Sequence, residues 1–269
     1  MQLNKLTASL GLALLVALLL LAVRPWPTPG AEPVVIWGGP PTVRQVALTF
    51  DDGPSPRYTP EIMAVLQHYR VQATFFVLGQ KVEKYPYLVQ ALLQAGHEVG
   101  NHTFDHSRLT KMADPLRESE VERTALDLEL LGDRTARWIR PPFSAFDEHF
   151  KDYVAHTHGR IVLWNIDSGD WRGLDRDTIV KNVVTRVRPG AIIIFHDSDE
   201  TGKADRHSTV EALKLIVPAL QGMGYRLVTI SQLVAGNSAP RPASGQAAPH
   251  PPVKPRLEFR GSQIKSGSL

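Results

Sequence analysis

Residues 43–54 read Val-Arg-Gln-Val-Ala-Leu-Thr-Phe-Asp-Asp-Gly-Pro, an apolar run that ends in two carboxylates and a turn. Val43–Phe50 is typical of a buried strand, and Asp-Gly-Pro is favourable turn chemistry. Successive side chains of a regular strand point to opposite faces. Asp51 and Asp52 can therefore serve one site only at a strand end, where one carboxylate can bind a metal while its neighbour addresses a water. A plain surface turn is the alternative.

Similar apolar runs recur along the chain, separated by segments with helical periodicity. The predicted strands are Val43–Phe50, Ala73–Leu78, His97–Gly100, Arg137–Arg140, Arg160–Ile166, Ala191–Phe195 and Arg226–Ile230. The predicted helices are Pro60–Tyr69, Tyr87–Ala95, Leu116–Leu131, Glu148–His156, Thr178–Val187 and Val210–Gln221. This alternation indicates an α/β fold with parallel strands joined by right-handed crossovers. A β/α barrel and a doubly wound open sheet both fit, although an eightfold barrel typically needs roughly 250 residues.

A pair of histidines follows the third predicted strand, in His102-Thr103-Phe104-Asp105-His106. Two histidines four residues apart can converge on one ion from a helical turn or from a tight loop. With one carboxylate they form a His-His-Asp set with open positions, the pattern of catalytic zinc. Imidazole and carboxylate also suit cobalt, nickel or iron. These residues therefore predict a divalent metal without deciding which one.

The fourth predicted strand ends in Arg140-Pro141-Pro142-Phe143. Arg140 could pair with Asp51 and hold that carboxylate ionised, so that it can accept a proton. An ordinary surface ion pair is the alternative. This cluster adds a candidate base and its supporting cation to the metal set.

The fifth and sixth predicted strands end in Asp167-Ser168-Gly169-Asp170-Trp171 and Ile194-Phe195-His196-Asp197. A pairing of Asp170 with His196 would favour the imidazolium form and make a general acid. Loops at the C-terminal ends of parallel strands meet at one side of the sheet. The five clusters together therefore predict one active site.

Both ends of the chain differ in composition from residues 43–235, which we expect to form a catalytic domain. An uncharged, mostly apolar run of 18 residues within 1–23 is long enough to cross a bilayer. We interpret it as a signal-anchor that places the domain outside the cell membrane, with a cleaved signal peptide and secretion as the alternative. Six prolines and three glycines in 24–42 predict a stiff stalk. Residues 236–269 are expected to form a disordered tail.

Charge argues against a nucleic-acid partner. The whole chain carries a formal charge of +3, but residues 44–235 hold 23 Lys and Arg against 25 Asp and Glu. The sequence shows no basic stripe with interleaved aromatics. It also contains no cysteine, so the domain must be stable without disulfides. The sequence leaves the oligomeric state open.

The five clusters resemble, in order, the motifs of the polysaccharide deacetylase family, also called the NodB-homology or carbohydrate esterase family 4 group. The matching segments are Thr49–Pro54, His102–His106, Arg140–Phe143, Asp167–Trp171 and Ile194–His196. The resemblance covers essentially all of 44–235. It implies an irregular β/α barrel of about seven parallel strands.

The resemblance also implies a role for each matched residue. The metal ligands would be Asp52, His102 and His106. The catalytic residues would be Asp51 as general base, His196 as general acid, and Arg140 and Asp170 as their respective supports. The substrate-binding residues would be Phe143, through its backbone N–H on the oxyanion, and Trp171 and Ile194 as walls near the acetyl group. Phe143 replaces the usual tyrosine, Ser144 a common glycine and Ile194 the usual leucine, and none of these changes removes a catalytic group.

The sequence therefore predicts a metal-dependent hydrolase that removes N-acetyl groups from N-acetylglucosamine units of a cell-wall polysaccharide, with peptidoglycan as the leading substrate. The expected cofactor is zinc, with cobalt or nickel as alternatives. An intact His196 favours amide over ester cleavage, because an unprotonated amine is a very poor leaving group. The alternatives are a chito-oligosaccharide deacetylase, an O-acetyl xylan esterase and an inactive glycan-binding domain. A metal phosphoesterase ranks last because the sequence offers no set of ligands for a second metal.

Overall fold

The computed structural model describes residues 34–133 and 137–236, which alternate parallel strands with helices. The strands are β1 (Val35–Ile36), β2 (Gln45–Gly53), β3 (Thr74–Val77), β4 (Glu98–Asn101), β5 (Trp138–Ile139), β6 (Arg160–Val162), β7 (Ile166–Asp167), β8 (Ala191–His196) and β9 (Arg226–Val228). The helices are α1 (Tyr58–His68), α2 (Gly79–Lys84), α3 (Pro86–Gln94), α4 (Asp114–Leu130), α5 (Glu148–His156), α6 (Arg176–Val184), α7 (His207–Gly222) and α8 (Ile230–Ala235). The predicted α/β class with parallel strands is confirmed.

The strands form one curled sheet in the order β1-β6-β5-β4-β3-β2-β8-β7, with β9 beside the first half of β2. β6 and β7 lie near opposite edges of this order, yet only residues 163–165 separate them in the chain. Such a link spans at most about 14 Å, so the sheet must curl until its edges approach. The N–H groups of Leu163 and Asn165 donate to Ile36 and Ile192, on the two sides of the gap. The fold is therefore an irregular barrel, and a doubly wound open sheet is excluded.

β2 pairs with three strands, β3, β8 and β9, and all nine of its residues are buried. The Phe50 ring stacks on those of Phe75 and Phe195, at centroid distances of 4.8 and 5.6 Å. This aromatic cluster packs in the core between the sheet and the helices. Thr49 and Asp51 point to the other face, into the barrel, because side chains alternate along a strand. β2 thus directs its apolar side chains toward the helices and its polar end toward the mouth of the barrel.

Two differences from the sequence prediction concern strands. Val35–Ile36 lies in the predicted stalk 24–42, but it pairs with Ile161–Val162 and Ile36 is buried. The folded part therefore begins before residue 43. The predicted strand Arg160–Ile166 is interrupted, because its first half pairs with β1 and β5 and its last residues pair with β8. Within residues 34–133 and 137–236, the sheet consequently has nine strands where about seven were expected.

The predicted membrane segment 1–23, the stalk up to residue 33 and the tail from residue 237 lie outside the described residues. Within 34–133 and 137–236, no helix combines the length and the apolar character needed to cross a bilayer. The short helices α2 and α8 were not predicted, since fewer than two turns give no readable periodicity.

Candidate active site

A bulge at the end of β2 lets Asp51 and Asp52 serve the same site. Pairing with β3 runs through Asp51, skips Asp52 and resumes at Gly53. Asp52 has a φ of 72°, in the left-handed region that few non-glycine residues adopt. The extra residue breaks the alternation that would otherwise send the two carboxylates to opposite faces. Gly53 allows this turn, because a Cβ there would lie 2.3 Å from the buried Asp197 carboxylate.

Asp52, His102 and His106 form a candidate metal centre. Oδ1 of Asp52 lies 3.3 Å from Nε2 of each histidine, and one ligand atom from each residue falls within a group 4.8 Å across. Oδ1 of Asp52 is buried without a hydrogen-bond partner, a costly state for a carboxylate oxygen. A cation between the three donors would satisfy this oxygen. The three residues therefore fit a divalent metal with open positions.

The electrostatics of the three residues suit metal binding. Nδ1 of His102 lies 2.6 Å from the carbonyl oxygen of Arg140. Because a carbonyl only accepts, Nδ1 carries the hydrogen and Nε2 presents its lone pair toward Asp52. Burial and the neighbouring His102 lower the pKa of His106, which favours the neutral imidazole that a metal requires. Burial would raise the pKa of Asp52, but the three surrounding histidines outweigh burial and hold the pKa below its usual range.

The loop between the two histidines is held by residues that the sequence analysis did not single out. Oδ1 of Asn101 accepts the N–H of Thr103 at 2.8 Å. Oε2 of Glu120, on α4, accepts the next two backbone N–H groups at 3.0 and 2.9 Å. Thr103 and His106 have φ values of 70° and 69°, so the histidines converge from a tight loop and not from a helical turn. Glu120 carries no sequence signal, because α4 contains several other acidic residues.

Arg140 is completely buried and holds Asp51 in one orientation. Its Nη1 lies 2.6 Å from Oδ1 of Asp51 and 2.9 Å from Oγ1 of Thr49. Its Nε and Nη2 donate to the backbone carbonyl oxygens of Val162 and Leu163. Oδ2 of Asp51 is left facing the metal set, 3.8 Å from Nε2 of His102. The structure thus places a carboxylate oxygen beside the candidate metal, held there by an arginine that keeps its charge.

Buried Asp170 and partly buried His196 form a pair on the other side of β2. Nδ1 of His196 lies 2.9 Å from Oδ1 of Asp170, and the His196 backbone N–H donates to Oδ2 at 2.8 Å. Thr209 also donates to Oδ2, at 2.9 Å. Burial would lower the pKa of His196, but the charge and hydrogen bond of Asp170 raise it to about 9. His196 is therefore an imidazolium at neutral pH, with a proton to give.

These groups surround one cavity of about 720 Å³. Eight of the ten predicted site residues line it, and Arg140 and Asp170 lie behind Asp51 and His196. Phe143 is exposed and places its ring 4.7 Å from that of His106. Trp171 is also exposed, and buried Ile194 completes the apolar wall. A cavity with apolar walls and a few convergent polar groups is typical of a ligand site.

Lys81, on α2, is a further residue that the sequence analysis missed. Its buried ammonium donates to the carbonyl of Asp52 at 2.8 Å, to Oγ of Ser198 at 2.7 Å and to the carbonyl of Asp199. It therefore ties the β2 bulge to the loop after β8. Burial lowers the pKa of Lys81, while Asp197 and Asp52 oppose that shift. A single lysine in a short helix gives no signal of this role in the sequence.

Comparison with known proteins agrees with the motifs and with the fold. The sequence model of the polysaccharide deacetylase family matches residues 38–161. A peptidoglycan-N-acetylglucosamine deacetylase of Bacillus cereus is 36% identical over 197 residues, which cover 73% of this chain and 70% of that protein. A chitooligosaccharide deacetylase of Sinorhizobium fredii is 36% identical over 198 residues, 70% of this chain and 90% of that protein.

A solved structure shares the same architecture. It is a crystal structure of a peptidoglycan N-acetylglucosamine deacetylase in complex with 4-naphthalen-1-yl-N-oxidanyl-benzamide. The TM-score is 0.73 at 34% sequence identity, and the match covers 75% of this chain and 93% of that one. The chain therefore belongs to the polysaccharide deacetylase family.

Proposed function

We propose that this protein removes N-acetyl groups from N-acetylglucosamine units of peptidoglycan and releases acetate. The observation that carries the proposal is one cavity that holds a His-His-Asp donor set, an arginine-bound carboxylate and an aspartate-bound imidazolium. Relatives whose names specify peptidoglycan N-acetylglucosamine support the choice of glycan. A relative whose name specifies chitooligosaccharide makes that substrate the second candidate.

Asp52, His102 and His106 would hold the metal, and we propose zinc because these ligand types and their number suit it. A divalent metal supplies Lewis acidity toward the acetyl carbonyl and makes a neighbouring water more acidic. Asp51 would accept the proton of the attacking water through Oδ2, because Arg140 already occupies Oδ1. Such general base catalysis contributes roughly 10²–10⁴-fold to the rate.

His196 would donate its proton to the leaving nitrogen as the carbon–nitrogen bond breaks. Asp170 raises the pKa of His196, which favours the protonated form that this step requires. An amide needs this acid more than an ester does, which supports N-deacetylation over O-deacetylation. The backbone N–H of Phe143 would stabilise the oxyanion. Ile194 and Trp171 would wall the acetyl group and its sugar.

We further propose that the chain is anchored in the cell membrane by residues 1–23, with residues 43–235 outside it. The support is the uncharged apolar run Leu6–Val23. Cell fractionation and protease treatment of intact cells would test this placement. Protease resistance of the domain in intact cells would contradict it.

The function is tested by acetate release from peptidoglycan, chitopentaose and acetylated xylan. The purified full-length chain would be assayed after chelation and after addition of zinc, cobalt or nickel. We expect release from the two N-acetylated glycans, loss of release on chelation and recovery with zinc. Release from xylan alone would indicate an esterase. No release from any glycan by the metal-loaded chain would favour a glycan-binding domain.

A further inference from the structure

Two exposed aromatic rings, those of Phe143 and Trp171, line the cavity, and an arginine side chain lies over each ring. The guanidinium of Arg108 lies 4.5 Å from the ring centroid of Phe143, and that of Arg172 lies 4.7 Å from the ring of Trp171. Both arginines are exposed. Within the described residues, neither side chain has an ion pair or a hydrogen bond. Their N–H groups are therefore free for a ligand.

The two arginine–aromatic pairs lie beside different parts of the site. The Phe143 pair is next to the candidate metal ligands, and the Trp171 pair is next to the candidate acid, because Trp171 directly follows Asp170, the partner of His196. Phe143 contacts His106 directly, and Trp171 lines the same cavity as His196. A glycan chain whose reacting acetyl group lies between the metal ligands and the acid would thus meet both arginines.

An arginine stacked on an aromatic ring keeps its N–H edge available for a carboxylate. Pairing with a carboxylate adds charge-assisted hydrogen bonds that a neutral sugar cannot match. In peptidoglycan each N-acetylglucosamine lies between two muramic acid units, and each of these carries a lactyl carboxylate or a peptide attached to it. A chitin chain is uncharged. The paired arginines therefore match the charge pattern of peptidoglycan on both sides of its N-acetylglucosamine.

Acidic residues also line the cavity, but none of them forms an ion pair with either arginine. Asp205 accepts from the Tyr58 hydroxyl at 2.6 Å. Asp199 accepts from the Thr201 hydroxyl and the Lys203 backbone. Asp167 accepts from the Gly169 backbone and from the Trp171 ring N–H. These carboxylates keep their charge, but neither they nor Glu200 form an ion pair with Arg108 or Arg172.

We propose that Arg108 and Arg172 are specificity residues that select a glycan with carboxylates on both sugars next to the reacting N-acetylglucosamine. This inference rests on the proposed function and deepens it. Selection of this kind acts mainly on encounter and binding. It should therefore affect KM more than kcat, and it should weaken as salt screens the charges.

The test compares an acidic and a neutral substrate on the metal-loaded full-length chain. The substrates are oligomers of alternating N-acetylglucosamine and N-acetylmuramic acid with free lactyl carboxylates, and chitopentaose. The variants are Arg108→Gln, Arg172→Gln and the double variant, which keep a polar stem against each ring. The control is Arg186→Gln, which removes an exposed arginine from the loop leading into β8, at the opposite ends of the strands.

We expect the double variant to lose about tenfold in kcat/KM on the acidic glycan, mostly through KM, as two exposed ion pairs would allow. Chitopentaose turnover should change by less than about twofold, and Arg186→Gln should change neither. Equal losses on both substrates would overturn the proposal, since they would indicate packing on the aromatic rings. Unchanged kcat/KM on the acidic glycan would also overturn it.

Calorimetric binding of the same two glycans separates this proposal from the proposed function. A wild-type chain that binds glycan but releases no acetate would overturn the deacetylase function alone. The preference for the acidic glycan, and its loss in the double variant, would still be measured by affinity. Equal affinity of the wild type for both glycans would overturn the selection by Arg108 and Arg172.

Discussion

The carbonyl oxygen of Arg140 lies 2.6 Å from Nδ1 of His102. The guanidinium of the same arginine lies 2.6 Å from Oδ1 of Asp51. One residue therefore orients a proposed metal ligand through its backbone and the proposed base through its side chain. The two contributions can be separated, because substitution removes the guanidinium and leaves the carbonyl in place.

Arg140→Met should destabilise the fold by about 3–5 kcal/mol, because it leaves the Asp51 carboxylate buried and unpaired. Metal content should persist, since the backbone contact to His102 remains. Urea unfolding and metal stoichiometry would measure the two effects. The double variant Arg140→Met/Asp51→Asn should recover part of the lost stability. Unchanged stability in the single variant would contradict the buried pair.

Asp51→Asn should reduce acetate release by about 100-fold or more, because the amide cannot accept the water's proton. Its metal content should equal that of the wild type. Asp52→Asn is the matched control, and it should lose metal, since it removes the only carboxylate among the three candidate ligands. Full activity of metal-loaded Asp51→Asn would refute the assignment of the base.

Activity should fall as pH rises through the pKa of His196, because the acid must be protonated. That pKa is about 9 with Asp170 ionised, and a bound cation would lower it by like-charge repulsion. Burial lowers the pKa of His196, and Asp170→Asn removes the largest opposing influence, leaving only the smaller ones of Asp52 and Asp51. The alkaline limb of kcat should move to lower pH by at least about one unit. An unmoved limb would show that His196 is not the acid.

The ion pair between Asp170 and His196 makes the stability of the fold depend on pH. A raised pKa in the folded state gives stability that is complete below about 6.5 and is lost as pH rises through about 9. Thermal unfolding of the wild type should therefore occur at a lower temperature at pH 9.5 than at pH 6. In Asp170→Asn this dependence should be reduced or reversed. An identical dependence in both proteins would argue against the buried ion pair.

Glu120→Gln should weaken metal binding by about tenfold, within the range known for residues that orient metal ligands. Its carboxylate accepts two backbone N–H groups of the loop that carries His106. Excess metal should restore most of the activity, because no ligand is removed. Glu129→Gln, an exposed acid on the same helix, is the control. Equal metal affinity in Glu120→Gln and Glu129→Gln would exclude the positioning role.

Much of the fold could be predicted because it depends on local patterns. The alternation of apolar runs and helical periodicities specified parallel strands, and six predicted helices correspond to helices of the structure. The two-residue strand Val35–Ile36 could not be predicted, because its pairing partner is more than a hundred residues away. Glu120 and Lys81 were missed because their partners are not their neighbours in the sequence. Their importance lies in the backbone groups that they reach, which no nearby residue reveals.

The sequence by itself determined the family, the α/β class and the types of chemical group at each strand end, because these are properties of residue identity, order and spacing. Only the tertiary structure decided how adjacent Asp51 and Asp52 reach one cavity, through a bulge at a φ of 72°. Only it decided that Asp170 pairs with His196 and raises the pKa of that histidine to about 9. Both depend on burial and on partners that are distant along the chain, and folding alone brings those groups together.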